Sequence, residues 1–291
     1  MSAVAAQLVL AGVILGSMYA VVGLALSLIY GASRVLNLAQ GEFVMLGCFL
    51  GYWVSIIFGV PPLVALPFAA ILGSSIGLSL YGFFRNKLQT QTITEIENYS
   101  LLVSFALILL LSNGVAWVWT PNFYVYEWMM VPISGWGISF MASKLYLLAI
   151  SLLAVALTLI FLYRTKLGSS IMLTIENRKA AMLIGINTAN VDKVVLVISI
   201  LLCLVEGILV GFNFPFNAFV GIPYTVIAFV VIILGGIGSP IGSLVGGLML
   251  GVVESTLVYI LAPALKIAIS YAILIGILLI RPQGIFGKGE R

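Results

Sequence analysis

The sequence contains no histidine, only two cysteines and very little charge: 13 basic and 9 acidic side chains in 291 residues. Without histidine the commonest general base and metal ligand is missing. That argues against an intramembrane metalloenzyme, and neither a metal site nor a cofactor is expected. The spans hold no paired aspartates, which also counts against a catalytic dyad at membrane depth. Cys48 and Cys203 both fall in apolar runs, so they read as buried, inert thiols rather than a disulfide framework. No glycine-rich loop ends in Gly-Lys-Ser or Gly-Lys-Thr, and the stretch Gly284-Ile-Phe-Gly-Lys288 lacks the hydroxyl residue that would follow. Any ATP that drives this chain is bound elsewhere, and no nucleic-acid partner is expected.

What fills the sequence instead is apolar: 63% of residues, with a mean hydropathy of +1.25. No charge occurs over 1–33, 43–84 or 207–253. A helix needs about 20 apolar residues to cross about 30 Å of hydrocarbon, so several must cross. The expected fold class is all-α, a polytopic integral membrane helical bundle with interrupted helices and about eight or nine spans or re-entrant segments. Apolar spans are read at 4–30, 42–59, 61–83, 99–119, 144–163, 191–212, 224–236, 241–261 and 264–280. The first lacks a basic start and is too long for a signal peptide, so it is kept as a span.

Charge sets the orientation. With the N-terminus outside and nine passes, the inner connections hold Arg34, Arg85, Lys87, Arg164, Lys166, Arg178, Lys179, Lys193, Arg281, Lys288 and Arg291, and the outer ones only Lys144 and Lys266. Cytoplasmic loops are enriched in Lys and Arg, which places the C-terminus in the cytoplasm. Trp119, Trp128 and Trp136 around the outer connection 120–143 suit either an interfacial belt or packing. Glycines four apart at 12 and 16, 47 and 51, 73 and 77, 207 and 211, and 247 and 251 suit close helix approach, within the subunit or between subunits.

Two polar, glycine-marked stretches interrupt the apolar runs, one over 31–41 and one over 235–242, the second either a tight hairpin or a break within one long element. Gly31 and Gly41 mark the first, and Gly235, Gly236, Gly238 and Pro240 the second. Unpaired backbone costs several kcal/mol in hydrocarbon, so such breaks occur where protein or a water-filled path surrounds them. Interrupted segments in both halves of a transporter mark its binding region when the halves are inverted repeats. Asn37, Gln40, Glu42, Glu206 and Glu254 are the polar groups in or beside spans, and are candidates for a translocation path. Glu42 in a first helical turn also fits compensation of the helix dipole. Glu206 lies mid-span with no capping role, while Glu254 follows a long apolar run and is expected near the outer surface, in solvent.

Within the inner loop 164–193, residues 176–187 read as a helix with Ala180, Leu183 and Ile184 on one side and Glu176, Asn177 and Lys179 toward water, ended by Gly185. Its apolar face rests on lipid, on the bundle or on a partner protein.

Several motifs in order now carry a resemblance: Gly23-Leu-Ala-Leu26, Asn37-Leu-Ala-Gln-Gly-Glu-Phe43, Gly185-Ile-Asn187, Gly235-Gly-Ile-Gly-Ser239 and Arg281-Pro-Gln-Gly-Ile-Phe286. Nearly the whole chain resembles the permease subunits of branched-chain amino acid ABC importers, the LivH type. Permeases for urea and short amides look similar. The resemblance implies one permease transmembrane domain over 1–291 in the plasma (inner) membrane of a prokaryote. Its implied partners are a second related permease, two cytoplasmic ATP-binding subunits and an extracytoplasmic substrate-binding protein, all assembled around the lipid bilayer. It also implies that 179–185 belongs to the motif that docks the ATPases, with Glu176, Arg178, Ala180, Ala181 and Gly185 as docking candidates. Lys179 stands where that motif has an acidic residue. An ion-coupled secondary carrier using Glu206 and Glu254 is the reading from a different class.

Overall fold

In a computed structural model the described residues form ten α-helices, one 3-10 turn and one β-hairpin. The structure describes residues 2–90, 92–126, 128–129, 131–135, 138–261, 271–273, 275–276, 279 and 284–285. The helices are α1 (Ser2–Ser33), α2 (Gln40–Phe58), α3 (Leu66–Thr90), α4 (Ile93–Trp119), α5 (Ala142–Arg164), α6 (Lys166–Glu176), α7 (Arg178–Leu183), α8 (Thr188–Gly211), α9 (Gly221–Gly235) and α10 (Pro240–Ile260). Seven are long and apolar enough to cross a membrane, and α9 is shorter at 15 residues. The span read at 264–280 lies largely outside the described residues, as does Trp136.

Local chemistry sets most boundaries. Thr92 and Glu95 form a capping box that starts α4 six residues before the apolar run read from sequence. Thr165, Asn177, Asn187 and Ser239 each accept from an N–H in the first turn of α6, α7, α8 and α10. Asn177, with φ −155° and ψ 101°, therefore divides the helix read over 176–187 into α6 and α7. The connection after α4 carries β1 (Pro132–Gly135) paired antiparallel with β2 (Ile138–Met141), a hairpin the sequence did not announce.

The irregular backbone falls within both stretches read from the sequence, 31–41 and 235–242, though not at their leading glycines. Gly31 is inside α1 and Gly41 inside α2, and the irregular backbone runs over 34–39, opened by Arg34 at φ 56°. Gly31 is needed for proximity: a Cβ there would lie 3.0 Å from the Cα of Gly238. The segment after Gly235 is a tight turn, with Gly236 at φ 97° and Gly238 at φ 75°, and Pro240 starts α10. The partner of the 34–39 break is 212–220, between α8 and α9.

Contacts fix the directions. The α1 C-terminus meets α7 and the start of α8, because Arg178 and Ser33 share Asp192. Ser199 on α8 donates to the Ala25 carbonyl of α1, and Gln40 at the start of α2 donates to Ser199. At about 1.5 Å per residue, α2 therefore begins roughly 10 Å inside the bundle from the α7 end. From there α2 runs toward the hairpin end, while α9 starts beside it and runs back to the α7 end, where Gly238 meets Gly31. Thus α1, the 34–39 break, α2 and α3 are mirrored by α8, the 212–220 break, α9 and α10, in the opposite sense. This is the inverted-repeat arrangement of many transporters.

All five glycine pairs pack within the subunit. Gly12 and Gly16 meet Gly247, Leu248, Gly251 and Val252 of α10, Gly47 meets Leu204 and Gly207 of α8, Gly51 lies against Ile208, and Gly73 and Gly77 lie on Leu201 and Val197. Trp119 stacks on Phe49 with ring centroids 5.3 Å apart, and Trp128 meets Phe212 edge-on at 5.2 Å, so both pack rather than float in a belt. A Cβ at Gly207 would fall 2.7 Å from the Gly47 Cα, whereas one at Gly82 meets nothing within 4 Å. Gly207→Ala should therefore destabilise the detergent-solubilised protein by about 1–3 kcal/mol or more in thermal unfolding. Gly82→Ala should be neutral or stabilising, by up to about 1 kcal/mol.

Candidate functional site

The first turns of α2 and α9 lie side by side in the interior, and each lacks the usual cap. The residues before them, Ala39 and Val220, have no side-chain oxygen to receive the orphan N–H groups. Substitutes come from elsewhere. Thr225 of α9 accepts from the Gly41 N–H at 2.9 Å and donates to the Leu38 carbonyl at 2.9 Å, so one hydroxyl pairs two backbone groups of the break. Asn37 accepts from the Ala39 N–H at 3.1 Å and donates to Gln40 Oε1 at 3.1 Å. Gln40 then donates to Ser199 Oγ at 3.0 Å and to Cys203 Sγ at 2.8 Å. Ser100 of α4 accepts from the Leu36 N–H at 2.9 Å. Asn37 and Gln40 are both buried, while Arg34, Leu36 and Leu38 of the break are half-buried.

Glu42 is wholly buried in the first turn of α2, where a carboxylate offsets the positive helix end. Ser112 of α4 donates to its Oε2 at 2.9 Å. Its Oε1 lies against Gly221, the first residue of α9, and has no hydrogen-bond partner among the described residues. A Cβ at Gly221 would come 2.6 Å from that oxygen, so glycine is required for the two helix ends to share one carboxylate.

The other two acids lie apart from this crossing. Glu206 is fully buried and accepts from Ser151 of α5 at 3.0 Å, the partnered outcome among those the sequence left open. Glu254 is not at the surface: it is fully buried on α10 and accepts from the Tyr19 hydroxyl at 2.8 Å. The sequence reading placed it in solvent because it follows a long apolar run, whereas α10 packs along α1 at this point and Tyr19 covers the carboxylate. Tyr19 also lines a cavity of about 380 Å³ between α1, the 212–220 segment and the start of α9, with Met18, Val220, Pro223, Tyr224 and Ile227. No charged side chain is among its lining residues.

At the α7 end, Ala181 is buried, while Ala180, Met182, Leu183 and Ile184 are exposed, Leu183 to 88%. Gly185, at φ 87°, ends the helix in the left-handed conformation that glycine tolerates. Glu176 is exposed at the end of α6. Arg178 turns inward: its guanidinium forks onto Asp192 at 2.7 and 2.6 Å and donates to the Ala32 carbonyl at 2.8 Å. Asp192 was missed by sequence reasoning. It is the only aspartate of the chain, and its place in the apolar helix from Val191 was the available signal.

Outside the spans, Tyr126 packs under Gly51 and Ile208, and burial pushes its hydroxyl well above the ordinary tyrosine range. Of the 281–286 motif only Gly284 and Ile285 are described. Gly284 is at φ 73°, and the Ile285 N–H donates to the Leu234 carbonyl at 2.8 Å, closing the end of α9.

A bundle of apolar helices with paired, re-entrant breaks defines a multi-pass membrane transport protein. The chain belongs to the family of branched-chain amino acid transport system permease components, which matches residues 8–278. It is 29% identical to the high-affinity branched-chain amino acid transport system permease protein LivH of Salmonella typhimurium, over 96% of this chain and 94% of that one. BraD of Pseudomonas aeruginosa, a permease of the same description, is 28% identical over 96% and 94%. A probable branched-chain amino acid transport permease of Methanocaldococcus jannaschii is 28% identical over 97% and 92%. No solved structure matches the chain significantly.

Thr225→Val keeps the shape and removes both bonds of the bridging hydroxyl, leaving two buried backbone groups unpaired. The expected loss is about 1–3 kcal/mol in thermal unfolding, with Thr225→Ser recovering most of it.

Proposed function

We propose that this chain is one permease subunit of an ATP-driven ABC importer that moves branched-chain amino acids across the prokaryotic inner membrane. A second, related permease completes the pathway, two cytoplasmic subunits hydrolyse ATP, and an extracytoplasmic protein delivers substrate. The chain acts as a single transmembrane domain, with the loop 164–193 as its cytoplasmic docking element and its N-terminus outside. The observation that carries this reading is α7: a short helix at one end of the bundle that turns Met182, Leu183 and Ile184 outward while Ala181 anchors it. In a chain of this family, an apolar knob of that kind suits the groove of an ATPase subunit better than lipid, because Glu176 and Lys179 flank it with charge. ATP binding closes the ATPases, moves α7, and tilts the helices around the α2 and α9 starts between outward and inward openings.

An aliphatic amino acid is favoured over urea or short amides by the uncharged, mainly apolar lining of the cavity beside α9. Selection there is modest, since one methylene more or less in an apolar pocket is worth about 1–3 kcal/mol.

Leu183→Asp together with Ile184→Asp should leave membrane insertion and folding intact and strip the ATPase subunits from the purified complex. Co-purification measures this; full retention of the ATPases by the double variant would remove α7 as the docking element.

A further inference from the structure

The guanidinium of Arg178 does not face the surface where an ATPase would sit. Its Nη1 donates both to Asp192 Oδ1 at 2.7 Å and to the Ala32 carbonyl at 2.8 Å, and its Nη2 donates to Asp192 Oδ2 at 2.6 Å. Ser33 donates to Asp192 Oδ1 at 2.7 Å. Three elements thus meet at one carboxylate: α7 through Arg178, the last turn of α1 through Ala32 and Ser33, and the first turns of α8 through Asp192. The Asp192 side chain is 1% exposed, and it forms a salt bridge with Arg178.

The position of this knot matters more than its strength. Immediately after Ser33 the backbone leaves the helix at Arg34, and six residues later α2 begins at the crossing with α9. Along that segment each contact leads inward: Leu36 to Ser100, Asn37 to Gln40, Gln40 to Ser199 and Cys203, and Gly41 to Thr225. A displacement of α7 therefore reaches the last turn of α1, directly before the hinge of the broken helix, as well as the start of α8. A forked, bidentate pair resists rotation as well as separation, which an ammonium point charge does not.

We propose that Arg178, Asp192 and Ser33 form the transmission joint of this subunit, delivering movement of the docking helix to the 34–39 break and through it to the α2–α9 crossing. Arg178 and Asp192 are positioning residues that touch neither ATP nor substrate. The inference rests on the importer reading, but it concerns what happens inside this chain.

The test uses the whole importer in proteoliposomes, with Cys48→Ala so that Cys203 is the reporter in this chain. Cys203 is fully buried and accepts from Gln40 at the crossing, so a small maleimide reaches it only when the crossing opens, whatever the substrate is. Arg178→Lys and Asp192→Asn are the main variants, and Ser33→Ala is the milder one in case the others assemble poorly. Without the variants, Cys203 labelling should change when ATP is added. In Arg178→Lys and Asp192→Asn the ATPases should remain bound and hydrolyse ATP, while the ATP-dependent change in labelling shrinks about tenfold. An undiminished change in assembled variants would make the pair a simple brace, and loss of the ATPases would make Arg178 a docking contact. Labelling indifferent to ATP in the unmutated importer would also overturn the joint. Leucine uptake by the same vesicles reads the substrate assignment separately.

Discussion

Everything in this structure answers to one constraint: a peptide group left unpaired among apolar helices costs several kcal/mol, and this chain interrupts its helices in two places all the same. The solution is reciprocal. The two breaks enter from opposite ends of the bundle, and the helices that follow them start side by side, each without a cap of its own. Thr225 of one helix supplies the hydroxyl for the other, and Glu42 of the second places its carboxylate against the first residue of α9. Neither helix start is complete alone, so the inverted halves must fold onto each other.

That mutual dependence turns packing into a mechanism. The long helices around the crossing are fastened by glycine contacts so close that a methyl group does not fit, α1 to α10 and both α2 and α3 to α8. The irregular segments offer soft dihedrals between them. Arg34 at φ 56° and Gly236 and Gly238 in the left-handed region all lie at the α7 end, where the cytoplasmic machinery is proposed to act. Glu206 accepts from Ser151 and Glu254 from Tyr19 within the bundle, and both add to helix registration.

Much of the fold was legible in the sequence because the bilayer imposes a length and a composition. Uncharged runs marked the spans, while the helix starts set by Thr92, Asn177 and Asn187 emerged only with the structure. The breaks were placed less well, for a physical reason. Glycine was read as a marker of disruption, yet Gly31 and Gly41 serve close helix contacts inside α1 and α2, while the residue that leaves the helix is Arg34. The 212–220 break escaped notice because it is largely apolar, Phe-Asn-Phe-Pro-Phe-Asn-Ala-Phe-Val, and its polar needs are met by distant partners such as the Tyr124 backbone. The candidate site was half visible: Asn37, Gln40 and Glu42 were named, but Thr225, Ser112 and Ser199, which complete their bonding, are single hydroxyls in apolar helices with no local signal. Arg178 was noticed without its partners, since only the fold brings Asp192 and Ala32 to it.

The proposed function stands or falls with ATP-driven import through this bundle. Its most direct test is radiolabelled leucine uptake into proteoliposomes that hold this chain, the second permease and the ATPase subunits, with the binding protein supplied on the opposite side. Uptake that needs ATP and stops when any one component is omitted is the predicted result. Uptake by this chain alone, driven by an ion gradient and indifferent to ATP, would contradict it.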